Sequence, residues 1–179
     1  MGNYVCSGSE QFDAYYRQMR TNEVPKRSSL DPTEIPHLLP YLIIGEVESP
    51  EILRYRLVGA HVRERAGRNL TGQNFYEFVT PGIADKWRDL ISRSGSKTPL
   101  GVHAMFRLSV ESGLQIVGEN LVLPFLDETG FPRFYVGYCE ITEGVGIGQE
   151  RLKTSEALSW TEIDATNMRV TETTREAVV

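Results

Sequence analysis

The chain has 179 residues, of which 40% are hydrophobic and 24% are charged, and its formal net charge is −5. This length and composition are typical of one globular domain with short extensions. The acidic balance and the lack of a long Lys/Arg block argue against nucleic-acid binding and against an anionic membrane surface, because binding phosphates requires clustered cations.

The cysteine content and the N-terminus bear on the compartment. Two cysteines, Cys6 and Cys139, lie far apart in the chain. They are too few for a tetrahedral zinc site and are expected to be free thiols in a reducing environment. The N-terminus lacks a signal-peptide pattern, and no run approaches the roughly 18 apolar residues that span a bilayer. We therefore expect a cytoplasmic protein.

The first predicted element is an amphipathic helix near the N-terminus. Ser7 and Glu10 have the spacing of a capping box, in which each side chain satisfies a free backbone donor. Apolar side chains then recur at helical spacing, at Phe12, Tyr15, Tyr16 and Met19. Two uses of this stripe remain open: it packs on the domain, or it forms a homodimer, since an exposed apolar stripe favours a partner.

A proline-rich segment and a strand hairpin follow. Asp31 and Glu34 fit the N-cap and third position of a short helix between Pro25 and Pro40. The apolar run 41–47 predicts a first strand. Alternation of apolar residues with arginine from Leu53 to Leu57 predicts a second strand, and the turn residues between the two indicate a hairpin.

A glycine-punctuated stretch and one long helix come next. Gly67 and Gly72 can adopt backbone angles that other residues avoid, which predicts short turns or helices there. Thr80 and Pro81 have the residue types that begin a helix, and Gly95 is a natural end. The predicted inner stripe of this helix consists of Ile83, Trp87, Leu90 and Ile91.

Three further strands are predicted at 102–110, 115–126 and 133–141, with a hairpin turn at 127–130. The last of them is apolar or aromatic on both faces, which is typical of a central strand. Strands grouped in two blocks around a helical middle predict an α+β domain with an antiparallel sheet.

The order of these segments resembles that of PAS domains, and especially a family of small, mostly standalone bacterial PAS-like proteins of undefined function. The resemblance rests on the segments R-S-x-x-D-P-x-x-I-P-x-L-L-P, R-Y-R-L-V-G, G-R-N-L-T-G-Q-N-F and E-N-L-V-L-P followed by D-E-T-G. It covers residues 20–142 and implies a five-stranded sheet of order 2-1-5-4-3, with short helices and one longer helix across one face. The predicted divisions are a flanking helix at 1–24, a PAS-like domain at 25–142 and a C-terminal extension at 143–179.

The extension is Thr- and Glu-rich, with one apolar cluster at Leu158, Trp160 and Ile163. Three arrangements remain open: it folds back on the sheet, contacts a partner or is partly mobile. The run Gly144–Gly148 superficially suggests a phosphate-binding loop, but its spacing is wrong and no P-loop lysine follows. We interpret it as a flexible exit from the last strand.

A cavity beneath the helical cover is the candidate site, because such ligand pockets are mostly apolar with a few polar groups. His61 shares its parity with Tyr55 and points to the core, unless a bulge at Gly59 reverses it. A lone imidazole is a weak signature for haem or metal, so no metal site is predicted and the cofactor is left open. The predicted lining is Tyr55, Leu57, His61, Phe75, Trp87, Phe106 and Val122. Alternatively, these side chains simply fill the core.

No catalytic arrangement emerges from the sequence. A nucleophile elbow of the form Gly-x-Ser-x-Gly is absent. Glu46 and Glu48 are interpreted as a solvated strand face, since acid–base catalysis needs a cleft that separates two pKa values. Arg56 has the parity of an outward residue, and a pairing with a carboxylate such as Glu119 is the hypothesis for it.

The leading prediction is a non-enzymatic sensory or regulatory module, the usual role of PAS domains. It would bind a small ligand or a protein partner and signal through a separate output protein or through its own homodimer, by shifting the balance between two arrangements. The alternatives are a ligand-free interaction or dimerisation scaffold and, less favoured, an enzyme that uses the cavity.

Overall fold

The structure, a computed structural model, describes residues 4–21, 23–143 and 152–175, and within them seven antiparallel strands form one sheet. The strands are β1 (Leu42–Ser49), β2 (Ile52–Val58), β3 (Leu100–Val110), β4 (Gln115–Leu126), β5 (Pro132–Glu143), β6 (Leu152–Asp164) and β7 (Arg169–Arg175). The helices are α1 (Ser7–Met19), α2 (Ala60–Arg65) and α3 (Pro81–Arg93), with 3-10 turns at Arg27–Ser29, Leu39–Tyr41 and Phe75–Glu77. None of these helices is long and apolar enough to cross a membrane.

The sheet has the order β2-β1-β5-β4-β3-β6-β7. The α+β class is confirmed, and the first five strands have the predicted order with β5 in a central position. The prediction of only five strands was wrong, because β6 pairs along the whole of β3 and β7 pairs with β6. Of the arrangements considered for the extension, 152–175 has folded back onto the sheet. The run Gly144–Gly148 lies outside the described residues.

A bulge in the β1–β2 hairpin decides which side chains face the core. Ile44 pairs with Leu57 while the next residue, Gly45, pairs with Tyr55, so Arg56 is an extra residue in β2. An extra residue reverses the alternation of the side chains that follow it. Tyr55 is therefore buried, whereas Leu57 is 41% exposed. The prediction that Leu57 faces the core was wrong for this reason.

Glycine is required where β2 gives way to α2. A Cβ atom at Gly59 would lie 2.4 Å from the carbonyl oxygen of Pro40 and 2.5 Å from that of Leu39. Such an approach to the preceding 3-10 turn is possible only without a side chain. Because the strand ends at Val58, His61 lies on α2, with 47% of its side chain exposed. The prediction that His61 continues the strand toward the core was also wrong.

The two faces of the sheet carry different helices. Alternate residues of β4 point to opposite faces: Leu121 and Leu123 pack with α1, while Val122 packs with α3. The apolar stripe of α1 is covered by the sheet, and Phe12 and Tyr16 have no exposed surface. Of the two uses considered for this stripe, packing on the domain is the one that the structure shows.

Three helix predictions have different outcomes. α3 begins at Pro81 after Thr80, as expected, and buries Ile83, Trp87 and Leu90 of the predicted stripe, while Ile91 is partly buried. The capping box at Ser7 is not formed, because the helix is capped at Cys6 without a side-chain bond of its own. The short helix near Asp31 is a turn in which the Asp31 carboxylate accepts hydrogen bonds from the backbone and hydroxyl of Thr33.

Candidate functional site

Two adjoining cavities lie between the sheet and its cover, which consists of α2, α3 and the segment between them. The cavity toward α3 has a volume of about 70 Å³ and the one toward α2 about 120 Å³. Both are predominantly apolar. The residues shared by their walls are Ile43, Tyr55, Phe75, Val79, Phe106 and Asn120.

Aromatic rings form the wall of the smaller cavity. The ring of Trp87 makes edge-to-face contacts with Phe75 and Tyr135, both at 5.7 Å between centroids, and with Trp160 at 5.5 Å. This geometry is the one favoured by the charge distribution of aromatic rings. Trp160 comes from β6, so the C-terminal extension completes this cavity.

The larger cavity is bounded by α2 and by β3, β4 and β5. Its wall includes Val62 and Ala66 from the cover and Cys139 from β5. Burial raises the pKa of the Cys139 thiol to about 12, although the nearby Arg65 lowers it. The thiol is therefore protonated at neutral pH and is a poor nucleophile.

One polar atom in the shared wall lacks a partner. The side-chain oxygen Oδ1 of Asn120 is buried and accepts no hydrogen bond within the part of the chain that the structure describes. A buried acceptor without a donor costs about 1–3 kcal/mol. The wall therefore offers a hydrogen-bond acceptor to any molecule that enters either cavity.

The predicted lining residues divide into two groups. The structure places five of them around the cavities: Tyr55, Phe75, Trp87, Phe106 and Val122. Leu57 and His61 lie outside, for the reasons given above. Asn120 was not predicted, although its parity on β4 is that of Val122 and provided the signal. Arg65 and Trp160 were also missed, since their place depends on how α2 and β6 pack.

A buried carboxylate holds the N-terminal segment to the other face of the sheet. The Glu119 side chain is fully buried and accepts hydrogen bonds from the backbone N–H groups of Val5 and Cys6, both at 2.8 Å, and from the Ser9 hydroxyl at 2.7 Å. The ring nitrogen Nε2 of His103 lies 2.7 Å from the same carboxylate. Burial would raise the pKa of Glu119, but these hydrogen bonds together lower it to about 2.

Glu119 is not the partner of Arg56, contrary to the hypothesis from the sequence. Glu119 is on β4, three strands away from β2 in the sheet. Arg56 instead pairs with Glu46 and Glu48 on the neighbouring strand β1, as an exposed network that also includes Arg54. Exposed ion pairs of this kind contribute little to stability.

Within residues 4–21, 23–143 and 152–175, no group of three or more His, Cys, Asp or Glu side chains is arranged to hold a metal ion. Glu156, on the wall of the smaller cavity, pairs with Arg107 at 2.8 Å.

Comparison with known proteins gives one family and several weak structural likenesses. A family model described as PAS domain matches residues 5–139. Three solved structures illustrate the likenesses. A light-oxygen-voltage domain studied with a flavin analogue has a TM-score of 0.48 at 11% identity, over 62% of this chain and 83% of that one. The dark structure of the blue-light photoreceptor Aureochrome1 LOV has a TM-score of 0.47 at 17% identity, over 69% and 89%. A fungal LOV domain photoreceptor has a TM-score of 0.43 at 16% identity, over 75% and 94%.

These three TM-scores are below 0.5, so the likenesses say nothing about the ligand or activity of this chain. A search of curated proteins gave no match.

Proposed function

Because the chain belongs to the PAS domain family, we propose that it is a non-enzymatic sensory or regulatory module whose two adjoining cavities bind a small ligand. The observation that carries this proposal is the unpartnered oxygen of Asn120 in a mainly apolar wall. A ligand that donates a hydrogen bond there would remove the cost of a buried, unsatisfied acceptor. A wall selected only for close packing would gain from an apolar residue at this position.

The chemistry of the walls supports binding without catalysis. Burial raises the pKa of both Tyr55 and Cys139, so both groups are neutral at physiological pH. The carboxylate of Glu156 is held by Arg107. General acid–base catalysis needs a titratable group poised near neutral pH within reach of the substrate, and Tyr55 and Cys139 do not supply one.

Contacts between α3 and β6 provide a route from the cavities to the edge of the sheet. Trp87 of α3 packs on Trp160 of β6. Six residues further along α3, Arg93 forms two hydrogen bonds with the buried carboxylate of Glu162, at 2.7 and 3.0 Å. A ligand that shifts α3 would therefore also act on β6 and β7, with an effect limited by its differential affinity for the two arrangements.

The output step belongs to the same proposal. The signal would pass to a separate output protein or through a homodimer, in a bacterial, cytoplasmic setting. A dimer that uses α1 would need the exposed face of that helix, since its apolar stripe is covered by the sheet. The alternative function, a ligand-free scaffold, requires that the cavities remain empty.

Native mass spectrometry and an absorption spectrum of freshly purified protein test the proposal. We expect a bound small molecule whose mass is lost when the protein is denatured. A chain that carries no extra mass, and whose thermal unfolding is unchanged by every small molecule in a diverse ligand screen, would instead support the scaffold.

Filling the larger cavity is expected to abolish ligand binding without unfolding the domain. Ala66, on the cavity wall, is buried and has helical backbone angles, so Ala66→Leu places an isobutyl group in the space of the ligand. We expect the bound mass to disappear, with a change in unfolding free energy of no more than about 3 kcal/mol. Native mass spectrometry and urea unfolding measure the two effects.

The matched control is Ala60→Leu, at the exposed first position of the same helix. This variant should retain the ligand. If Ala66→Leu keeps the bound mass at the wild-type level, the ligand is not in the larger cavity.

A further inference from the structure

Arg65 brings a positive charge to the wall of the larger cavity. It is the last residue of α2, and its guanidinium carbon lies 5.6 Å from the ring centroid of Tyr41. Most of the surrounding wall is apolar, formed by residues such as Val62 and Leu108. Arg65 is half-buried and lines this cavity, and its charge acts on the Cys139 thiol of the same wall.

In the described part of the chain, no carboxylate forms an ion pair with Arg65. The arginines of β2, α3 and β3, by contrast, all pair with carboxylates. The neighbouring acid, Glu64, is directed to His61, with 3.4 Å between its Oε2 and the ring Nδ1. The guanidinium of Arg65 thus keeps its hydrogen-bond donors free for an anion from outside the chain.

A second arginine adds to the positive potential at this end. The guanidinium carbon of Arg68 lies 4.4 Å from the ring centroid of Phe78, which belongs to the wall of the same cavity. Its Nε atom is buried and has no hydrogen-bond partner among residues 4–21, 23–143 and 152–175. An unpartnered, buried cationic donor beside a cavity is costly unless an anion approaches it.

The volumes limit the size of the apolar body. An apolar cavity of about 150 Å³ holds benzene, whereas pockets for drug-sized ligands start at about 300 Å³. The cavities of about 120 and 70 Å³ adjoin, so together they match one aromatic ring or a short alkyl chain. The planar fork of a guanidinium matches a carboxylate, which it binds through two parallel hydrogen bonds.

We infer that the ligand is a small, mainly apolar hydroxycarboxylic acid, of the size of hydroxybenzoate, whose carboxylate is bound by Arg65 and whose hydroxyl donates a hydrogen bond to the side-chain oxygen of Asn120. Its apolar body occupies the larger cavity and reaches toward the shared wall. This inference rests on the proposed sensory function and gives it a ligand class.

Titrations with benzoate, a probe that presents only the ring and the carboxylate of this ligand class, and with its neutral analogue benzamide test the role of Arg65. Both tryptophans of the chain, Trp87 and Trp160, line the adjoining smaller cavity, so their fluorescence reports on occupancy, and isothermal titration calorimetry provides an independent readout. We expect benzoate to bind the wild type about tenfold or more tightly than benzamide, the effect of a charge-assisted hydrogen bond. Arg65→Gln should weaken benzoate binding by about tenfold or more and leave benzamide binding unchanged.

Arg63→Gln is the matched control, because Arg63 is an exposed residue of the same helix, is not part of the cavity wall and has no ion pair among the described residues. It should bind benzoate as the wild type does. Circular dichroism establishes that each variant is folded before it is titrated.

Three results would overturn the inference. If benzamide binds as tightly as benzoate, or if Arg65→Gln retains benzoate affinity within about twofold, the site takes apolar ligands without using the charge, and the sensory proposal stands. If neither probe binds while native mass spectrometry finds a neutral bound molecule, the inference of a carboxylate ligand is wrong and the sensory proposal stands. If neither probe binds, no molecule co-purifies and no small molecule in the diverse ligand screen changes thermal unfolding, both proposals fail together.

Discussion

Glu119→Gln is expected to lower the free energy of unfolding by about 3 kcal/mol at pH 7 and to detach the segment 4–9 from the sheet. The carboxylate of Glu119 is fully buried and holds this segment through three hydrogen bonds, while His103 contacts it from β3. An amide has one acceptor oxygen in place of two, and its NH₂ group cannot accept from an N–H or hydroxyl donor. At least one buried donor is thus left unsatisfied, in addition to the loss of the charge.

The same substitution should remove part of the dependence of stability on pH. The pKa of Glu119 lies at about 2 in the folded protein, below its ordinary value of 4.5. A carboxyl whose pKa is depressed by folding contributes stability that is present above its unfolded pKa and is lost as the pH falls through the folded one. The wild type should therefore lose this contribution between about pH 4.5 and pH 2, and Glu119→Gln should not.

The groups that face Glu119 are His103 from β3, Cys6 and Tyr4 from the N-terminal segment, and Glu140 from β5. Urea unfolding at pH 7 and pH 3 measures the stability, and hydrogen exchange at Val5 and Cys6 reports whether the segment is released. These exchange rates should rise much more than those of β4.

Glu10→Gln is the control, since Glu10 is an exposed carboxylate on α1. It should change the stability by less than about 0.5 kcal/mol. An equally small change for Glu119→Gln, with the pH dependence of the wild type retained, would show that the carboxylate does not hold the segment.

The sheet was largely predictable because its strands alternate strongly and their turns carry clear signals. β4 was predicted with the bounds that the structure has, and α3 begins at the predicted proline. β6 was not predicted as a strand, since 152–175 is rich in polar residues and the resemblance ends before it. β6 pairs with the edge of β3 that β4 leaves free. Such an edge exists only in the folded domain and has no local signature in the sequence.

The errors at the site have the same physical origin. A prediction from periodicity assumes that the strand is unbroken. The extra residue Arg56 reverses the direction of the Leu57 side chain. The strand then ends before Gly59, which packs closely on the preceding 3-10 turn, so that His61 lies on a helix. The alternating pattern R-Y-R-L contains no mark of the bulge. The roles of Arg65 and Glu119 can likewise be recognised only in the folded chain. Arg65 matters because it has no ion pair among the described residues, and Glu119 because it binds the N-terminal segment.

Trp87→Ala is expected to lower the free energy of unfolding by about 4 kcal/mol, the largest effect of any single substitution on the cavity side of the sheet. Trp87 is 7% exposed and contacts three other aromatic rings, from the cover and from two strands. Its removal takes away the aromatic contacts between α3 and the sheet and leaves a space lined by Phe75, Tyr135 and Trp160. Because these walls are apolar, the space should remain dry and bind an aromatic molecule of matching shape.

Indole is that molecule. By binding only the folded variant it should restore part of the lost stability, and the more so the higher its concentration. Urea unfolding followed by far-UV circular dichroism, with and without indole at millimolar concentration, measures both effects. The control is Phe131→Ala: Phe131 is 49% exposed, so its loss should cost less than about 0.5 kcal/mol and show no response to indole. If Trp87→Ala is no less stable than this control, the aromatic cluster does not fasten α3 to the sheet, and the route from the cavities to β6 loses its physical basis.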